Sequence, residues 1–243
     1  MVAKFAVYYI PPAESSMYLR GSEILGYDVR AGNFLPADNP TRAVLPEFNA
    51  EWVQRPHSYG FHMTLGYSLE YDPARLPEIE QAMEDVLNCF GAETRFTLTP
   101  DDRTFIPFWR DEIVVLRYHP NPALLMLHAM LIARVNPLAS GSRIGHEFAS
   151  MDVGHLPPEA IHRVRQYHTP YMLDGWAPHF TLMQPYAGSQ PKATRAALRT
   201  LFPAEPRDLE TVSLLIMADG DTHYRLHRDF PLDAYPQPAV RDV

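Results

Sequence analysis

Tyr59-Gly60-Phe61-His62-Met63-Thr64-Leu65 returns, with its key residues in place, as Trp176-Ala177-Pro178-His179-Phe180-Thr181-Leu182, the two histidines lying 117 residues apart. Both stretches are apolar and alternating, the pattern of a strand. A strand turns successive side chains to opposite faces, so His62 and Thr64 share one face while Phe61, Met63 and Leu65 share the other. The second copy repeats this, with His179 and Thr181 on one face and Phe180 and Leu182 on the other. Each copy thus offers one imidazole and one hydroxyl on a rigid support. With 11 His, 12 Thr and 25 Leu in 243 residues, chance supplies about 0.06 copies of His-x-Thr-Leu, and a pair arises in roughly one or two shuffles per thousand. The competing account is two ordinary buried strand histidines.

Around each motif the same order of elements is expected. The first motif strand, Tyr59 to Leu69, is followed by an amphipathic helix from Leu76 to Phe90 and two strands, Arg95 to Thr99 and Glu112 to Tyr118. The second, Pro178 to Tyr186, is followed by a helix from Pro191 to Phe202 and by strands Thr211 to Met217 and Thr222 to Phe230, joined by an Asp219-Gly220 turn. Between the two units a buried helix, Pro122 to Val135, and a shorter one, Pro158 to Tyr167, are predicted. An opening strand, Lys4 to Ile10, ends at Pro11-Pro12, and the Gly-, Pro- and Asn-rich stretch from Ser22 to Asn49 reads as irregular loop. Two similar units suggest two facing lobes in one domain spanning 1–243, carried by roughly 50–135 and 170–232, with strand 3–10 joining a central sheet.

Composition narrows the partner. The formal charge is -8, from 29 acids and 21 bases, and no basic stripe is visible, which argues against a grip on long nucleic acid. A small molecule is the expected ligand. The single cysteine, Cys89, rules out an intramolecular disulfide and a Cys-based zinc site, and fits a reducing cytoplasm. No run approaches the 18 or more apolar residues of a membrane span. Neither G-x-x-x-x-G-K-[ST] nor G-x-G-x-x-G occurs, so no ATP or dinucleotide cofactor is expected.

Phosphodiester cleavage without a metal needs a base to deprotonate the attacking oxygen and an acid to protonate the leaving one. Histidine, with an ordinary pKa of about 6.5, serves either task. Hydroxyls such as Thr64 and Thr181 can donate to the non-bridging oxygens, where charge builds. The pattern predicts His62 and His179 as the catalytic pair, in either order, and a bell-shaped rate profile. Tyr9, Tyr59, Trp176 and Tyr186 are candidates for stacking on a base, against the commoner reading of strand aromatics as core. Arg20 and Arg110 are candidate clamps for a second phosphate, against simple exposure. His146-Glu147 and His155 could line the site's rim. A metal role is not expected: His223 and His227 are four apart but follow a turn that favours a strand, and the motifs supply Thr where a metal site would want His or Asp. The remaining histidines, His57, His119, His128, His162 and His168, read as structural or exposed.

The paired His-x-Thr-Leu strands resemble the two-histidine (2H) phosphoesterase superfamily, which includes 2′-5′ RNA ligase-like proteins and cyclic nucleotide phosphodiesterases. One branch, found beside bacterial phosphonate-utilisation genes, is also similar at Phe5-Ala6-Val7-Tyr8-Tyr9-Ile10-Pro11-Pro12, at Tyr59 to Leu65, and at Tyr224 to Leu232. The resemblance implies a bilobal α+β fold, with two pseudo-symmetric lobes of antiparallel sheet and outer helices around a central cleft. It also implies that His62 and His179 are catalytic, that Thr64 and Thr181 bind phosphate, and that a cyclic phosphate of a five-carbon sugar is a specific candidate. This chain departs from the branch at Ala177-Pro178, where an Arg-Phe-like pair is expected, and at Gly66-Tyr67-Ser68-Leu69, where a Lys-Ala-Pro-Phe-like continuation is expected. Those flanks are where a substrate would be read. The alternative is a non-catalytic binder of nucleotides or phosphorylated metabolites.

Overall fold

The computed structural model describes residues 2–108, 112–140 and 156–233; Arg110, His146, Glu147 and His155 lie outside them. The first part of the chain runs β1 (Lys4–Tyr9), α1 (Ser16–Leu25), β2 (Tyr27–Asp28), β3 (Asn33–Phe34), α2 (Pro40–Ala43), β4 (Met63–Glu70) and α3 (Leu76–Leu87). Then come β5 (Thr97–Pro100), β6 (Val114–Pro120), α4 (Pro122–Val135) and α5 (Pro158–Tyr167). It ends with β7 (His179–Met183), α6 (Pro191–Leu201), β8 (Arg207–Asp208), β9 (Thr211–Met217) and β10 (Arg225–Pro231).

The fold is α+β. Eight strands form one antiparallel sheet in the order β10-β9-β1-β4-β7-β6-β5-β8, and β2 and β3 form a small hairpin beside it. The two motif strands, β4 and β7, are neighbours at its centre. Each heads a four-stranded half, but the halves interleave the chain. The strands that follow β4, namely β5 and β6, pair beyond β7; of those that follow the second unit's helix, β9 and β10 pair beyond β1 on the β4 side while β8 pairs with β5. The division into 50–135 and 170–232 therefore does not coincide with the hydrogen-bonded halves, because each motif strand takes its outer partners largely from the other unit.

Helix ends follow local chemistry. Asn121 accepts from the Leu124 amide at 2.9 Å and Pro122 takes the first turn of α4, where a missing amide costs nothing. The helix then buries Leu124, Leu127, Leu131, Ile132 and Val135. In α3, Ile79, Ala82, Met83, Val86 and Leu87 form the one buried stripe that the periodicity predicts.

Helix α1 corrects the reading of Ser22 to Asn49 as loop, since it runs on to Leu25, and the hairpin β2–β3 and the one-turn α2 follow within the same stretch. Ser15 caps α1 by accepting from the Tyr18 amide, and Gly26, at φ 76°, ends it. The helix escapes a sequence reading because Gly21 and Ser22 interrupt its apolar stripe. The structure shows why a glycine is needed: a Cβ on Gly21 would stand 2.3 Å from Cγ of Phe61. Only a bare backbone lets α1 lie on Phe61, and that ring stacks on Phe180 of the other motif at 4.9 Å. The core thus clamps the two motif strands from behind. No described helix is long and apolar enough to cross a membrane.

Candidate active site

Met63 of β4 pairs with Phe180 of β7. Continuing this antiparallel register by one residue in each direction sets His62 against Thr181 and Thr64 against His179. Met63 is fully buried and so is Phe180, so the four motif side chains occupy the face turned away from that core. Each histidine opposes the other motif's threonine, and the histidines are diagonal neighbours, about 7–8 Å apart at the backbone.

Both rings are held in the same way. His62 Nδ1 lies 3.0 Å from the Gly60 carbonyl oxygen, and His179 Nδ1 lies 2.7 Å from that of Ala177. A carbonyl can only accept, so each Nδ1 carries the proton and each Nε2 is left for chemistry. His62 Nε2 is 3.3 Å from Thr64 Oγ1. The Gly60 carbonyl reaches the ring because Gly60 adopts φ 68°, ψ -176°, a region open essentially to glycine alone. Tyr8, opposite Thr64 on β1, stacks on the His62 ring with centroids 3.5 Å apart and planes 15° from parallel. Tyr59 meets the same ring edge-on at 5.1 Å.

Burial pushes the His62 imidazole down to about 3, assisted by the nearby His179; the bond to Gly60 works against it. Burial likewise lowers His179, with the Arg117 charge adding to the effect. Both rings are therefore neutral bases in the free protein near neutral pH. Neutral buried histidines also make the fold acid-sensitive. His62, and His128 at about 4, titrate in the folded chain well below their ordinary 6.5. Their contribution is fully present above that ordinary value and is lost as pH falls from there toward the folded values. The loss is up to about 1.4 kcal/mol per pH unit for each ring. Urea melts at about pH 7 and about pH 5 should show it, and His128→Asn should flatten the difference; an unchanged pH dependence would contradict the assigned burial.

The remaining candidates divide. Tyr59 is brought to His62. Tyr9 is not: it is 2% exposed, packed edge-on to Phe180 in the core. Trp176 is buried, stacked at 4.0 Å on His128 of α4, and donates from its indole to the Thr64 carbonyl at 3.2 Å. It supports the motif strand from behind instead of offering a face to ligand. Tyr186 is buried against Trp52 and donates to Thr194. Arg20 donates to the carbonyl of Leu201, the last residue of α6, and so closes a helix end. Tyr9, Trp176, Tyr186 and Arg20 thus make contacts within the protein, Tyr9 being turned into the core by alternation along β1 and Arg20 being carried by α1 to the end of α6. His223 lies in the turn before β10 and His227 on β10, where His227 pairs with Glu80. Among the described residues no group of three or more metal-binding side chains gathers.

Two residues of the site were not anticipated. Tyr8 cannot be told from its neighbour Tyr9 in the sequence, because alternation requires one of the pair to face each way without saying which. Arg117 lies on β6 directly opposite His179; the only hint in the sequence is its position as a lone cation within an apolar strand.

No family model matches the sequence, and no curated protein matches it. Among solved structures the chain is similar to a protein described as a phosphoesterase, at 15% identity over 95% of this chain and 98% of that one, with a TM-score of 0.41. It is also similar to E. coli LigT complexed with 3′-AMP, at 17% identity over 95% and 98% with a TM-score of 0.43, and to LigT complexed with NADP+, at 16% over 95% and 97% with a TM-score of 0.39. Likenesses so distant assign no activity.

Proposed function

We propose that this protein is a metal-independent phosphodiesterase in which His62 and His179 act as general base and general acid on a single phosphate. The observation that carries this reading is the repeated state of the two histidines. On adjacent antiparallel strands, each donates from Nδ1 to the carbonyl two residues before it and leaves Nε2 for the substrate. A carbonyl acceptor at Nδ1 orients the ring and also steadies the imidazolium that forms when Nε2 takes a proton. Thr64 and Thr181 hold the non-bridging oxygens, which gather charge in the transition state. Tyr59, against His62, borders the substrate. The substrate is a small cyclic or 2′-5′-linked ribose phosphate, in which a neighbouring hydroxyl is the attacking or leaving group; the net charge of -8 disfavours a polymer. Within that class, a cyclic phosphate of a five-carbon sugar follows from the resemblance to the phosphonate-associated branch.

The mechanism needs one neutral and one protonated ring, and both are depressed below 6.5 in the free protein. The bell for kcat/KM, which reports the free enzyme, is therefore expected to be centred on the acid side of about 6.5. Screening 2′,3′-cyclic, 1,2-cyclic and 2′-5′-linked ribose phosphates with EDTA present tests the assignment. Turnover of one class, indifferent to chelator, is expected. Loss of turnover to EDTA would overturn the metal-independent mechanism, and tight binding without product after long incubation would make the protein a binder.

A further inference from the structure

The motifs supply hydroxyls and imidazoles but no permanent positive charge, yet the phosphate they are read to hold is an anion. One cation stands beside them. Arg117 pairs with His179 across β6 and β7, so the two side chains leave the sheet on the same face with their Cβ atoms roughly 5 Å apart. Its side chain is only 18% exposed. A guanidinium so covered ordinarily has a close anionic or carbonyl partner. Here Asp101 is the nearest described acid, and Arg117 Nε stands off from it at 3.7 Å, beyond hydrogen-bond reach. Asp101 is already engaged by Arg103, which grips it through its backbone amide at 2.7 Å, Nε at 3.1 Å and Nη2 at 2.7 Å. The Phe108 ring, 5.5 Å from the guanidinium carbon, flanks Arg117 on another side. Among the described residues its guanidinium donates no hydrogen bond.

We infer that Arg117 is the anion-binding residue of this site, pairing with the non-bridging oxygens of the substrate phosphate beside His179. The inference rests on the function proposed above and adds to it the charge that the two motifs lack. Arg117 is preoriented, with Asp101 drawing on Nε from one side and Phe108 flanking it, which leaves the Nη donors to form a two-pronged pair with phosphate. Burial is the main cause of the lowered basicity of His179 in the free protein, and the Arg117 charge adds to it. A bound anion would offset that charge and favour a proton on His179. The same row across the sheet, Tyr8, Thr64, His179 and Arg117, then reads as ring support, phosphate donor, proton carrier and charge clamp.

The test is calorimetric titration with inorganic phosphate of wild type, Arg117→Gln, Arg117→Lys and Arg103→Gln, with melting curves for each and steady-state kinetics on whichever ester the screen finds. Arg117→Gln should weaken phosphate binding and raise KM by roughly 10- to 100-fold, the range for a hydrogen bond to a charged group. Lysine should fall between, since a point charge replaces a fork. Arg103→Gln, whose side chain is 62% exposed and already spent on Asp101, should bind within about two-fold of wild type. An Arg117→Gln protein that binds phosphate as tightly as wild type overturns the inference; if glutamine prevents folding, an unchanged Kd in Arg117→Lys does so. Failure of wild type to bind phosphate at all overturns it too. If binding follows the expected pattern while wild type turns over no ester, Arg117 stands and the enzyme reading falls. If hydrolysis requires both histidines but Arg117→Gln leaves KM and Kd unchanged, the enzyme reading stands and Arg117 falls alone.

Discussion

His62→Asn and His179→Asn are each expected to lower kcat by about 10²- to 10⁴-fold, the usual worth of a positioned proton-transfer group, with KM little changed. Asparagine is the informative replacement. Its side-chain amide can still donate to the carbonyl of Gly60 or Ala177, as Nδ1 does now, so the local backbone keeps its partner while the titratable nitrogen is gone. Alanine at position 62 would confound the result, because that ring is 7% exposed and fills the space against Tyr8, and deleting it leaves a cavity. The double variant should fall little below the worse single, since base and acid act in one transition state and their losses do not add. Wild-type kcat in either asparagine variant, with an unchanged melting curve, would end the paired-histidine mechanism.

Gly60→Ala is expected to destabilise the fold by about 3 kcal/mol or more and to reduce kcat by roughly 10²-fold. Two separate costs converge there. The backbone, at φ 68° and ψ -176°, occupies a region that a side chain makes expensive. The added Cβ would also sit 2.5 Å from Cβ of Val29, well inside contact distance. Whatever shift relieves the overlap moves the carbonyl that orients His62, so stability and catalysis are lost together. A Gly60→Ala protein with wild-type melting and wild-type kcat would show that the carbonyl does not set the ring.

Much of the local structure was legible because its causes lie within a few residues. Helices α4 and α5 and strand β9 follow their predicted bounds of Pro122 to Val135, Pro158 to Tyr167 and Thr211 to Met217. Caps, prolines at first turns and apolar periodicity suffice for that. The motif face was legible for the same reason, since alternation alone puts His62 with Thr64 and His179 with Thr181. Helix α1 was not, because the feature that makes it pack, a glycine against Phe61, is the one that weakens a helical pattern. Tyr8 and Tyr9 make the same point within one dipeptide. The sequence requires them to face opposite ways, and only the register of β1 on β4, Tyr8 against Thr64, decides that Tyr8 meets the imidazole and Tyr9 enters the core.

By itself, then, the sequence determined the two His-x-Thr-Leu motifs, the residue types on the face they present and the lack of any nucleotide-loop motif, all of which are set by neighbours along the chain. The tertiary structure alone decided which strands the motif strands take as partners. By sending β5 and β6 past β7, and β9 and β10 past β1, it brought Arg117 opposite His179, 62 residues away in the chain, and Tyr8 onto His62. The physical reason is that strand pairing is bought with non-local contacts after long loops close, and one residue of register reverses every face. Local sequence names the groups that can do chemistry; only the assembled sheet says which of them meet.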